Sequence, residues 1–149
     1  MATRPLTEGE IALARSVFGD AIDYARVSIV RGKWAFFQPR ETVMAPTGVI
    51  HFHPLSTRYR DDFAAAGVHD QGLFIHEMVH VWQYQHGIFL PIRRHPFCRY
   101  DYALRPGWPL ARYGLEQQAE IVRHAFLLRA GTQIAGAPPL AQYESLLPF

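Results

Sequence analysis

The residues best suited to chemistry are gathered in "LFIHEMVHVWQYQHG", positions 73–87, which holds His76, Glu77, His80 and His86. His76, Glu77 and His80 form the pattern HExxH. Two histidines four apart on a helix stand one above the other, so both imidazoles reach a single tetrahedral metal. A glutamate one residue after the first histidine flanks the water such a metal carries and can take its proton. That is what zinc-dependent hydrolysis requires, with His76 and His80 as ligands and Glu77 as general base.

On a helical wheel His76, His80, Leu73, Tyr84 and Glu77 share one arc, while Phe74, Ile75, Met78, Val79, Val81 and Trp82 fill the other. The helix is expected to be apolar behind and to carry its chemistry in front. His86 stands where a metzincin places its third histidine, but Gln83 occupies the position where that family needs a glycine to turn the chain, and no methionine follows Met78. If the helix continues, His86 points well away from His80. It is read as a helix-end histidine favourable to the C-terminal dipole. The remaining candidates are glutamates. In "GLEQQAEIVRHAFLLRA" (114–130), Glu116, Glu120 and His124 recur every fourth residue as one polar stripe between two apolar arcs. Carboxylates on a helix covered on two sides need partners, and a zinc ion with its surrounding hydrogen bonds is one.

These helices need a scaffold. Thr7 followed three residues later by Glu10 is a capping box that predicts a helix over 7–18, ended by Gly19. "RVSIVRG" (26–32) and "WAFFQ" (34–38) have strand composition, and "APTGVIHFHP" (45–54) reads as a turn at Pro46 and Gly48 followed by a strand. The HExxH helix is expected over 71–86, with Gly87 just beyond its end. Residues 88–112 contain Pro91, Pro96, Pro106 and Pro109 and predict a loop-rich excursion that covers a site. The second long helix is expected over 114–130, followed by a short tail from Pro138.

The 149 residues, 49% of them hydrophobic, suffice for one domain, 1–149, with a real core. The net charge of +2 makes no case for nucleic acid, and Lys33 is the sole lysine. Cys98, the one cysteine, forms no internal disulfide and is read as structural. No apolar run supports export by a signal peptide or insertion in a membrane, so the sequence reads as cytoplasmic, with signal-independent secretion open to it. Nothing in the pattern specifies an oligomer.

His76-Glu77-x-x-His80, followed by "EQQAE" (116–120), resembles the gluzincin arrangement, whose second helix carries Glu-x-x-Ala-Asp. That resemblance implies Glu116 as third zinc ligand and Glu120 in the place of the acidic residue that orients a ligand histidine, one methylene longer than the family's aspartate. "FGDAIDYARVSIVRG", "PTGVIHFHP" and "FIHEMVHVWQ" together are similar to small bacterial zincin-like domains of contractile injection systems and Vgr- or Rhs-related proteins. The likeness, over roughly 7–130, implies an α+β single-domain zincin, with a small twisted sheet, acting on a peptide or protein substrate. It equally allows a catalytically silent zinc-binding module, a structural or cargo component of a secretion system. By the same likeness "VIHFH" is the strand expected to pair with an extended substrate. Tyr100, Tyr102 and Tyr113, with Tyr84, are candidates for stabilising an oxyanion. His51 and His53 share one strand face and offer a separate metal pair, although exposed polar residues on an edge strand are the simpler reading. Arg93, Arg94, Arg99 and Arg105 offer bidentate contacts to a substrate carboxylate, or a solvated basic loop. Trp34, Trp82 and Trp108 are assigned to the core or the cleft wall.

Overall fold

The structure, a computed structural model, describes residues 2–88 and 99–149; Arg93, Arg94 and Cys98 lie outside the described residues. Helix α1 spans Glu8–Phe18 and begins as predicted: Thr7 Oγ1 accepts the Glu10 N–H at 3.0 Å, and the Glu10 carboxylate accepts the Thr7 N–H at 2.9 Å. Glu10 also does what the capping pattern does not foretell. Its fully buried carboxylate accepts both Arg4 terminal nitrogens, at 2.9 and 3.0 Å, and the Phe63 N–H at 2.9 Å. This bidentate, charge-assisted pair ties the N-terminus and the 3-10 turn Phe63–Ala65 to α1.

The sheet has three strands in the order β1 (Ala2–Pro5), β2 (Ser28–Arg31), β3 (Ile50–Phe52), with β1 antiparallel and β3 parallel to β2. β1 is missing from the sequence reading. It is short, mostly exposed and ends in proline, all tolerable on an edge and none a strand signal. Conversely, "WAFFQ" forms bends and turns instead of a strand. There the buried Gln38 accepts the Trp34 N–H at 2.8 Å and donates to Thr42 O and His51 O at 2.9 Å each, fastening a surface loop that leaves Phe36 and Phe37 exposed. Strand propensity describes a surface suited to pairing, and these aromatics have no strand to pair with.

The outer edge of β3 is also not open as expected. The His51 N–H donates to Met44 O at 2.7 Å and the Met44 N–H to His51 O at 3.1 Å, so that backbone pair is already used. Upstream of β3, Gly48 has φ +81°, and the Tyr84 ring lies 2.8 Å from where a Cβ would stand. Only glycine meets both conditions, and Tyr84 is a packing residue.

Helix α2 spans Val68–Gln85, beginning earlier than expected, and α3 spans Leu115–Arg129; among the described elements they pack against each other more extensively than any other pair. α2 is buried from Gly72 to Val81, including the arc expected to be its front, because α3 covers it. Phe52, Phe63 and Phe74 stack in series at 5.6 and 5.7 Å, carrying the core from sheet to α2. Each such buried ring is worth about 1.5–3 kcal/mol. A short α4, Leu140–Glu144, buries Tyr143, and Phe149 packs edge-on against Phe18 and Trp82, so the tail closes the core. Trp82 and Trp108 flank the core, the latter between Arg105 and Arg112, while Trp34 stands in the surface loop beside Phe37. None of the three reaches full burial or lines the cleft described next.

Candidate metal centre

His76 and His80 project from consecutive turns of α2, and Glu116 from the first turn of α3. All three are buried, and one ligand-type atom of each lies within 4.8 Å of the others. His76 Nε2 is 3.2 Å and His80 Nε2 2.8 Å from the same oxygen, Glu116 Oε1. Among the described residues no other group of histidine, cysteine or acidic side chains converges in this way.

The outer nitrogens are equally committed. His76 Nδ1 lies 3.0 Å from Glu120 Oε2, and Arg123 donates to the two Glu120 oxygens at 3.0 and 3.1 Å. His80 Nδ1 lies 2.8 Å from Gln83 Oε1. Each imidazole therefore faces an oxygen acceptor on both sides, whereas a neutral imidazole carries a single N–H. A cation between the two Nε2 atoms and Glu116 resolves the shortage of protons. Two imidazoles and one carboxylate, with the outer nitrogens held by hydrogen bonds, are a donor set that fits a divalent metal ion and leaves a position open.

Burial lowers the affinity of His76 for a proton, but hydrogen bonds to Glu116 and Glu120 and the charges of Glu77 and Glu116 outweigh it and raise its pKa to about 9. Glu120 responds in the opposite sense. Burial raises its pKa, and the hydrogen bond and charge of His76 together with Arg123 bring it down to about 2. Without a metal, the surrounding carboxylates favour a proton on His76.

Beside the ligands a cleft of about 290 Å³ is walled by Glu41, Thr42, Val43, Arg58, Leu73, His76, Glu77, Tyr100, Glu120 and Arg123. Glu77 thus shares the cleft with His76. The tyrosines separate. The Tyr100 ring lies nearly parallel to His76, with centroids 6.0 Å apart and 16° between planes. The Tyr102 hydroxyl is 2.6 Å from both His124 Nδ1 and Tyr143 Oη, and burial and then the Tyr143 contact push its pKa up. The Tyr113 hydroxyl accepts the Arg105 N–H at 2.9 Å. Of the three, only Tyr100 faces the cleft. His124, on the stripe with Glu116 and Glu120, turns toward Tyr102, and burial lowers its pKa.

His86 is directed elsewhere: its Nε2–H donates to Ala21 O at 2.9 Å and its ring leans on Trp82. His51 Nδ1–H donates to Gly32 O at 3.2 Å, and His53 Nδ1 accepts the Leu55 N–H at 3.0 Å, so neither joins a metal group. Arg105 lies over Trp108, Arg99 does not line the cleft, and among the described residues the cleft's arginines are Arg58 and Arg123. The sequence reading missed Arg58, Gln83, Gln118 and Arg123. The i,i+3 spacings of Gln83 from His80 and Arg123 from Glu120 were available signals; Arg58 offered none.

No family model matches the chain. The type VI secretion system spike protein VgrG2b of Pseudomonas aeruginosa is 44% identical over 134 residues, which cover 85% of this chain and 13% of that protein. The chain thus spans a small part of the spike's length. Among solved structures, the effector domain of Pseudomonas aeruginosa VgrG2b superposes with a TM-score of 0.81 at 41% identity, covering 97% of this chain and 81% of that one. Among the described residues no helix is long and apolar enough to cross a membrane. With a shared fold at this identity over nearly its whole length, the chain belongs to the family of the VgrG2b effector domain.

Proposed function

We propose that this protein is an effector module of a type VI secretion system whose chemistry is zinc-dependent peptide-bond hydrolysis of the gluzincin type. The secretion-system part is supported by the likeness to a spike protein and its effector domain. The hydrolytic part is carried by one observation: Glu77 opens onto the same cleft as His76, whose Nε2 converges with His80 and Glu116. The same two-imidazole, one-carboxylate set also suits iron, and it is the HExxH placement of Glu77 beside the two histidines that favours zinc.

Bound there, zinc would supply Lewis acidity, lowering the pKa of water and polarising a peptide carbonyl. The protein's own residues do the rest. Glu77 takes the proton of the attacking water and returns it to the leaving amine. Tyr100 donates to the oxyanion, a role supported by its position on the cleft wall against His76. Glu120, clamped by Arg123, keeps the His76 ring turned toward Glu116.

A second reading is a zinc-binding module that does not turn over, a structural or cargo component of the secretion apparatus. It is favoured by the relatives' names, which describe a spike and an effector domain. A panel of unfolded proteins and peptides, incubated with and without a chelator, separates the two. Chelator-sensitive cleavage that Glu77→Gln abolishes while zinc stays bound supports the enzyme. A stably captured partner with no cleavage supports the module.

A further inference from the structure

The glutamine network behind His80 decides a proton position that the ring itself leaves open. Gln83 Nε2 donates to Leu115 O at 3.1 Å and to Gln118 Oε1 at 3.0 Å, and Gln118 Nε2 donates to Tyr113 O at 2.8 Å. Leu115 O and Tyr113 O are backbone carbonyls, which only accept. Each therefore faces the nitrogen end of its glutamine, and both carboxamides have one permitted orientation. Gln83 Oε1 is left facing His80 Nδ1 at 2.8 Å, and an amide oxygen only accepts. A hydrogen must then sit on His80 Nδ1, so Nε2, at the point where Glu116 Oε1 and His76 Nε2 converge, is the nitrogen that can give its lone pair to a metal.

Burial makes this arrangement strict. Gln83 is 0%, His80 1% and Gln118 4% exposed, so bulk water is not at hand to replace any of these partners. The same glutamines grip α3 on both sides of Glu116, at Leu115 and at Gln118, so one network sets the His80 tautomer and the seat of the third ligand. Without it, His80 can place its hydrogen on Nε2 and donate to Glu116 Oε1, 2.8 Å away, which blocks both ligand atoms.

We propose that Gln83, itself oriented by Leu115 O and Gln118, is a positioning residue that holds His80 in its Nδ1–H tautomer and presents Nε2 and Glu116 to the metal. The proposal rests on the metal-site reading and is independent of whether the protein hydrolyses anything.

The test uses the whole chain, purified free of metal, and reads two quantities other than activity. Long-range proton–nitrogen NMR correlations of the histidine rings, with His80 assigned by its absence from His80→Gln, distinguish Nδ1–H from Nε2–H. Competition with a chromophoric chelator gives zinc affinity. The expected result is a hydrogen held on His80 Nδ1 in the wild type, and in Gln83→Leu its loss in favour of Nε2–H alone, with zinc bound about 10- to 100-fold more weakly. Gln118→Leu, which leaves Leu115 O to orient Gln83, is expected to fall between the two. A metal-free wild-type His80 with no hydrogen on Nδ1, or full zinc affinity in a folded Gln83→Leu, overturns the proposal. If Gln83→Leu does not fold, the wild-type spectrum and Gln118→Leu still decide. Tight zinc binding with no cleavage of any peptide would remove the hydrolytic reading and leave this one standing.

Discussion

The two histidines that face Glu116 are supported from behind by opposite kinds of chemistry. His76 leans on a charged pair, Glu120 and Arg123, with side chains 16% and 29% exposed at the wall of the cleft. His80 leans on a chain of neutral amides in the interior. Burial explains the division. A lone carboxylate behind His80 would be a buried charge without a countercharge, a costly arrangement, whereas an amide fixes orientation without importing one. At the cleft wall Arg123 offsets the carboxylate and solvent shares the load. One support is thus tunable by protonation and the other by hydrogen-bond direction alone.

Removing the group that both histidines share affects the two supports at once. Glu116→Ala is expected to abolish stoichiometric zinc binding, measured by metal content after dialysis; full retention would mean that the two imidazoles find their third partner elsewhere. The next effect concerns the charged side alone. Glu120→Gln keeps an acceptor near His76 but removes the negative charge, and zinc affinity is expected to fall about 10- to 100-fold in the chelator competition.

The pH dependence of the metal-free protein separates the two supports without mutation. His76 is raised from 6.5 to about 9, so its contribution to stability is complete below pH 6.5 and lost as pH rises through about 9. Glu120 is lowered from 4.5 to about 2, so its contribution is present above pH 4.5 and lost as pH falls toward 2. Unfolding by urea should show these paired groups stabilising most between pH 4.5 and 6.5. Zinc should remove the alkaline decline, since the ion takes the proton's place; a decline of equal size with zinc bound would contradict the assignment of His76. The smallest effect is a control far from the site. Thr7→Ala is expected to cost about 1 kcal/mol of stability through the lost cap, with zinc affinity unchanged.

Both helices that carry the converging side chains were legible in the sequence because their chemistry follows the pitch of a helix: four residues separate His76 from His80 and Glu116 from Glu120. What stayed hidden depends on contacts between distant segments. β1 exists because Arg4 reaches Glu10 and the strand finds β2; the 34–38 loop exists because Gln38 reaches His51. The Met44 bridge that occupies the His51 backbone belongs to the same class. At the site, the sequence named all the side chains that converge, but Gln83 served there only to exclude another zinc family. Its role appears only when the carbonyls at the start of α3 are set against it.

Whether His76, His80 and Glu116 hold one zinc ion is read out by elemental mass spectrometry of the purified wild type beside Glu116→Ala and His86→Ala. One zinc per chain is expected in the wild type, lost with Glu116→Ala and kept with His86→Ala. Loss with His86→Ala would place the third ligand at the other end of α2, and a wild type that holds no metal even after zinc is supplied would contradict the metal centre altogether.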